Sequence, residues 1–191
     1  MIIIRLVRHN DLLSDAIVAD CYGDWTPWEA SKEIAHAEAV MLGGTVIGAY
    51  AEGGVQERPL DYDHGNFKYE EFVGLPADED MTAKFEHYLR SPEVLGEKYD
   101  YTGLFEFAEL AIEGHLRHHV FCSALVDDAL RGCGYFPRPL PVPAHKINPL
   151  FLKQMLYARP DIVIMDRTSP VFQAHIAPKA GATPSHGVGT D

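Results

Sequence analysis

Two glycines set between two β-rich runs place the tightest limit on what this chain can fold into. Ala35 to Leu42 alternates small or apolar residues with His36 and Glu38, Thr45 to Ala51 is again mostly apolar, and Gly43-Gly44 separates them. Adjacent glycines supply the positive φ of a tight turn, so the two runs are predicted to pair as an antiparallel hairpin. A period of two then puts His36 and Glu38 on one face of the first strand.

Other segments fall around this hairpin. Residues 2 to 8 read as a strand, and Asp11 to Ile17 as a short amphipathic helix with Leu12, Leu13, Ala16 and Ile17 turned inward. A loop with Trp25, Pro27 and Trp28 follows. Val55 to Leu60 gives a third hairpin-linked strand, weakened at Pro59, and Phe67 to Val73 a fourth. Asp78 to Arg90 is predicted helical, with acidic residues in its first turn and Arg90 in its last. Thr102 to Gly114, apolar around much of its circumference, reads as a helix buried in the domain centre. A further helix spans Phe121 to Arg131, ended by Gly132 and Gly134 in left-handed conformations. Pro137, Pro139, Pro141 and Pro143 enforce an extended link. Asn148-Pro149 starts a short helix through Leu156, and Asp161 to Met165 is a last strand. Residues 1–176 are expected to form one domain, with 177–191 a Gly-, Ala- and Pro-rich disordered tail. Helices and strands come in blocks, which predicts an α+β class with an antiparallel sheet.

Composition excludes several roles. The chain has 191 residues, 47% of them hydrophobic, and a formal net charge of −12. That acidity opposes binding to nucleic acid or to an anionic membrane surface, which a basic face would serve. No apolar run approaches a membrane span, and the opening Met1 to Val7 is too short for a signal peptide's apolar core, so a soluble, cytoplasmic product is expected. Three cysteines, Cys21, Cys122 and Cys133, show no disulfide framework and fit a reducing compartment.

Chemistry points to Cys122. It opens an apolar helix in His119-Val120-Phe121-Cys122-Ser123-Ala124-Leu125-Val126, and the unpaired N–H groups of a first helical turn favour thiolate over thiol. His36 is the candidate base and Glu38, on the same strand face, a candidate partner for it. Cys122 also shares a stripe with Leu125, Val126, Ala129, Leu130 and Cys133, which fits an inert buried thiol equally well. A metal site is the rival from another class: His115, His118, His119 and Cys122 have helical spacing, but Gly114 and a change of apolar phase near Val120 argue for an intervening loop.

The ordered set of Asp11 to Ile17, His36-x-Glu38 entering the hairpin, Gly53-Gly54-Val55-Gln56-x-Arg58-Pro59-Leu60, Tyr99-Asp100-Tyr101-x-Gly103 and Phe121-Cys122-Ser123-x-Leu125-Val126 resembles the circularly permuted papain-like enzymes. These are relatives of NlpC-type cell-wall amidases and peptidases and of the lecithin:retinol acyltransferase group, in which histidine precedes cysteine. The likeness runs over residues 10 to 155. It implies a permuted papain-like fold, an antiparallel sheet packed on a central helix bearing Cys122, with Cys122 as nucleophile and His36 as base. It implies a thiol-dependent hydrolase or acyltransferase acting on an amide or ester, with a small-molecule, peptide or lipid acyl substrate, Tyr99 and Tyr101 lining the cleft, and neither metal nor cofactor. Many relatives carry a polar residue on the second hairpin strand to orient the histidine, where this chain has Gly48; Glu38, Glu52 or Gln56 could act instead. A cell-wall target would require delivery to the periplasm by a phage, lysis or secretion system. An inactive binding or structural module of a virion or secretion system is the remaining alternative.

Overall fold

The structure is a computed structural model that describes residues 1–22, 33–99, 119–136 and 141–178; of Asp20, Tyr22, His119 and Val120 it describes the backbone alone. Among these residues the architecture is α+β, built on one six-stranded antiparallel sheet. Its strands are β1 (Ile2–His9), β2 (His36–Met41), β3 (Thr45–Tyr50), β4 (Gly54–Pro59), β5 (Phe67–Leu75) and β8 (Val163–Met165), in the order β4-β3-β2-β1-β5-β8. The predicted hairpin is present, with φ of +94° at Gly43 and +86° at Gly44. Pro59 ends an edge strand, where a missing N–H leaves no ladder bond unmade.

Five α-helices accompany the sheet among the described residues: α1 (Leu12–Tyr22), α2 (Glu79–Leu89), α3 (Cys122–Gly132), α4 (Pro149–Tyr157) and α5 (Pro170–Ile176). Asp78 caps α2 by accepting the Met81 N–H, and Asn148 caps α4 by accepting the Phe151 N–H, each at 2.7 Å. A short parallel pair, β6 (Lys98–Tyr99) with β7 (His119–Val120), leads the chain into α3 through Phe121.

The main core lies between the sheet and α3. Ile2, Ile4 and Leu6 of β1, Ala37, Ala39 and Met41 of β2, and Ile47 and Ala49 of β3 pack with Leu125, Val126, Ala129 and Leu130 of α3. The alternate residues Ile3, Val40, Val46 and Phe72 form a smaller cluster on the opposite face with Phe172 of α5. Helix α3 is buried almost all round, since Ser123 and Asp127 are enclosed as fully as its apolar stripe; Ser123 Oγ donates to the Ile147 carbonyl at 2.6 Å.

Three expectations need correction. Helix α1 runs five residues past Ile17 to Tyr22; Leu13 and Ile17 face inward as expected, with Val18 and Cys21, against Ala35, but Leu12 is 87% exposed and Ala16 exposed. Once the helix extends, the stripe nearer its C-terminus packs best and the adjoining Leu12–Ala16 row turns to solvent. Gly134 alone takes positive φ after α3, because Gly132 is still helical. Helix α5 was not anticipated: it has seven residues and one fully buried side chain, Phe172, too little for a periodic signal. The Trp25–Trp28 loop, the Thr102–Gly114 helix, Pro137, Pro139 and residues 179–191 lie outside the described residues.

Candidate active site

Cys122 is the first residue of α3, and its Sγ lies 4.0 Å from the carbonyl oxygen of Ala35, the residue before His36. The two halves of the candidate pair, 86 positions apart in the sequence, thus meet at the entry to β2. Cys122 is 2% exposed and His36 8%. The His36 Nε2 atom sits 3.2 Å from Glu38 Oε1, within ion-pair range although off the line of its N–H. Nδ1 is then the nitrogen left for the sulfur.

Gly48 stands where the sequence places it, across from this pair on β3. A Cβ there would come within 3.1 Å of Glu38 Cγ and 3.3 Å of His36 Nε2. Glu38 therefore fills the space that a side chain on β3 would need, and glycine is the residue that lets the carboxylate reach the imidazole. Of the other two candidates, the Gln56 carbonyl is taken by Arg58, and Glu52 is exposed at a cavity rim.

Glu38 is fully buried and fully used. Its Oε2 accepts from Arg5 at 2.8 Å and its Oε1 from the Tyr62 hydroxyl at 2.7 Å. Arg5 is also enclosed and binds Asp63 through two contacts of 2.8 and 2.9 Å and Glu70 at 2.6 Å. Glu70 takes a second guanidinium, Arg167, at 2.7 Å, and Asp63 takes His9 Nε2 at 2.8 Å. The register explains the cluster: Arg5 is the cross-strand partner of Glu38 on β2 and of Phe72 on β5, two residues from Glu70. Three carboxylates against two guanidiniums leave one negative charge over, beside His36.

The sulfur, the imidazole and the carboxylate shift one another's protonation. Burial works against an imidazolium at His36, but the facing Cys122 sulfur and the Glu38 carboxylate outweigh it and raise its pKa. Burial likewise opposes a Cys122 thiolate; the His36 charge, with the backbone N–H groups of Ala37 and Ser123, lowers its pKa instead. Glu38, despite burial, is held well below the usual carboxylate range by His36, Arg5 and Tyr62. Tyr50 and Tyr62 are pushed up, by burial first and Glu38 second, so both remain neutral donors.

A cavity of about 400 Å³ opens beside His36. Ala35, His36, Tyr50, Arg58, Tyr62 and Tyr99 line it, with Ile17 of α1 and Asp11 just before that helix. Tyr99 is 5% exposed and lines this cavity. Tyr101, the second expected wall residue, lies outside the described residues, as do the side chains of His115, His118 and His119 that the metal reading needs. Among the described residues no group of three His, Cys, Asp or Glu side chains is placed to hold a metal ion, and no helix is long and apolar enough to cross a membrane.

Sequence reasoning missed Arg5, His9, Tyr50, Tyr62, Asp63 and Glu70. A signal existed for one of them, Arg5. Arg5 interrupts the run Ile2-Ile3-Ile4-Arg5-Leu6-Val7, and Glu38 interrupts an equally apolar strand; opposite lone charges in two buried strands call for each other. Tyr62 and Asp63 come from the loop between β4 and β5, whose placement no local pattern encodes. A scan against protein-family models and a search of curated proteins each find no match to this chain.

Proposed function

We propose that this chain is a permuted papain-like, thiol-dependent acyl hydrolase or acyltransferase in which Cys122 is the nucleophile, His36 the general base and acid, and Glu38 the residue that orients and charges the imidazole. The observation that carries this reading is the row of sulfur, imidazole and carboxylate drawn from α3 and β2, with the imidazole in the wall of a cavity. His36 takes the thiol proton, and the Cys122 sulfur adds to the carbonyl carbon of an amide or ester. The oxyanion is met by the Cys122 backbone N–H, one of the donors that a first helical turn leaves unpaired. His36 then delivers its proton to the departing nitrogen or oxygen, which leaves a thioester on Cys122. Water, deprotonated by His36, releases the acid and restores the thiol; an amine or alcohol in its place completes a transfer. Peptidoglycan peptides and lipid acyl groups are the two substrate classes that the resemblance suggests.

The test is alkylation of Cys122 by iodoacetamide as a function of pH, read by peptide mass spectrometry with Cys133 as internal control. A charged pair makes Cys122 react rapidly below neutral pH, where Cys133, whose pKa burial raises, stays slow. His36→Ala should slow the Cys122 reaction about 10²-fold, and Glu38→Gln should move its pH profile toward that of an ordinary thiol. A Cys122 no faster than Cys133 at pH 6 would sink the enzyme reading and leave a binding or structural module.

A further inference from the structure

We infer that Arg58, laid on the ring of Tyr50, is a carboxylate-binding subsite, so that the substrate carries a free carboxylate close to its scissile carbonyl; this rests on the thiol acyl-transfer reading above. The Arg58 Cζ lies 3.6 Å from the centroid of the Tyr50 ring, and that ring is itself 5.3 Å from the ring of His36. The guanidinium is therefore one aromatic ring away from the imidazole, in the wall of the same cavity.

Its state of pairing singles it out. Every other arginine among the described residues, Arg5, Arg8, Arg90, Arg131, Arg159 and Arg167, is ion-paired with a carboxylate. Arg58 meets only neutral acceptors: Gln56 Oε1 takes Nε at 3.1 Å and Nη2 at 2.9 Å, and the Glu52 carbonyl takes Nη2 at 3.2 Å. In a chain of net charge −12 this is a cation held in place but not neutralised. Stacking fixes the plane of the guanidinium, Nε and Nη2 are taken by Gln56 and Glu52, and Nη1 has no protein partner among the described residues. The two N–H groups of Nη1 can donate to a carboxylate, and one guanidinium balances one negative charge. The carboxylates of the cavity do not compete for it. Asp63 is bound to Arg5 and His9, Asp11 accepts the Ser14 N–H at 2.7 Å, and Glu52 offers Arg58 its backbone alone.

Two measurements test this and keep it separate from the acyl-transfer reading. Cys122→Ala protein is titrated by NMR with N-acetylglycine, N-acetylglycinamide and inorganic phosphate. The acid should bind about tenfold more tightly than the amide, Arg58→Gln should erase that advantage, and Arg58→Lys should keep only part of it. Equal affinity for acid and amide, no measurable binding of either, preference for phosphate over the acid, or indifference to Arg58→Gln overturns the subsite. On the native thiol, the ratio of alkylation rates of Cys122 by iodoacetate and by iodoacetamide should fall about tenfold in Arg58→Gln. In both reagents the sulfur displaces iodide from carbon, so the ratio isolates the carboxylate, and a ratio that does not move counts against the subsite. A thiol inert to both reagents ends the acyl-transfer reading, while the titration still decides the role of Arg58.

Discussion

On the face of the sheet covered by α3, Ile2, Ile4 and Leu6 meet Ala37, Ala39 and Met41; on the other face the same two strands present Ile3 and Val40, and then Arg5, Glu38 and His36. The first face is closed by hydrophobic burial, which is non-directional and tolerates shifts of a few tenths of an ångström. The second is closed in part by ions that gain nothing from burial unless each finds a partner at the right distance. The difference shows where a fold can hold an imidazole in one orientation. A contact net of directed bonds, Arg5 to Glu38 and Tyr62 to Glu38, leaves the carboxylate beside His36 no other place to go. The apolar face has one exception of its own at its rim, where Glu71 is held by Tyr69, by Tyr157 at 2.7 Å and by Lys153 at 3.2 Å.

Breaking each face should give losses of different kind. Arg5→Met removes the guanidinium from buried Glu38 and Asp63, leaves Glu70 to Arg167 alone, and is expected to cost about 3–5 kcal/mol in urea denaturation at pH 7. That loss should shrink toward acid. Glu38 and Asp63 have folded pKa values below their unfolded values of 4.5 and 3.8. The stability they contribute with Arg5 is therefore fully present above about pH 5 and is lost as pH falls through their folded values. An Arg5→Met penalty that stays constant from pH 7 to pH 3, below both unfolded values, would contradict this. Leu125→Ala, on the apolar face, should cost about 3 kcal/mol by leaving a cavity, with the same penalty at both pH values.

Gly48→Ala separates function from stability on the polar face. Its Cβ would press Glu38 and His36 at distances tighter than ordinary contact, for an expected cost of about 1 kcal/mol. The effect on Cys122 alkylation should be larger than that cost suggests, because the displaced groups are those that set the thiolate. Loss of stability with no change in alkylation rate would show that the imidazole orientation does not matter. The smallest effect is expected at the far end of α3. Gly132 is helical, and a Cβ there would touch the Tyr88 ring at 3.5 Å, an ordinary contact, so Gly132→Ala should stabilise by up to about 1 kcal/mol. That variant should alkylate at the native rate, since it lies three helical turns from Cys122.

How far the sequence reached differs between the same two faces. The Gly43-Gly44 hairpin, the capped helices α2 and α4, and the strands β1, β4, β5 and β8 were readable because periodicity and caps are local signals. Cys122, His36 and Glu38 were readable as residue types in suggestive places. In the sequence a buried Glu38 is not separable from an edge-strand carboxylate in solvent, because burial of β2 depends on both neighbours, β1 and β3. His9, Tyr62 and Asp63 were missed because nothing in their own segments marks them.

Taken alone, the sequence determined which stretches become strands and helices, which face of each helix or strand is apolar, and that one thiol stands at a helix start, since these follow from residues within a few positions of one another. Tertiary structure alone decided that the thiol meets His36, that Glu38 and not a residue of β3 stands behind it, and that Arg5 is neutralised while Arg58 is not. Each of those outcomes depends on charges brought together from distant segments, and electrostatic energy is a function of distance in space and of the water excluded between the charges, neither of which the order of residues records.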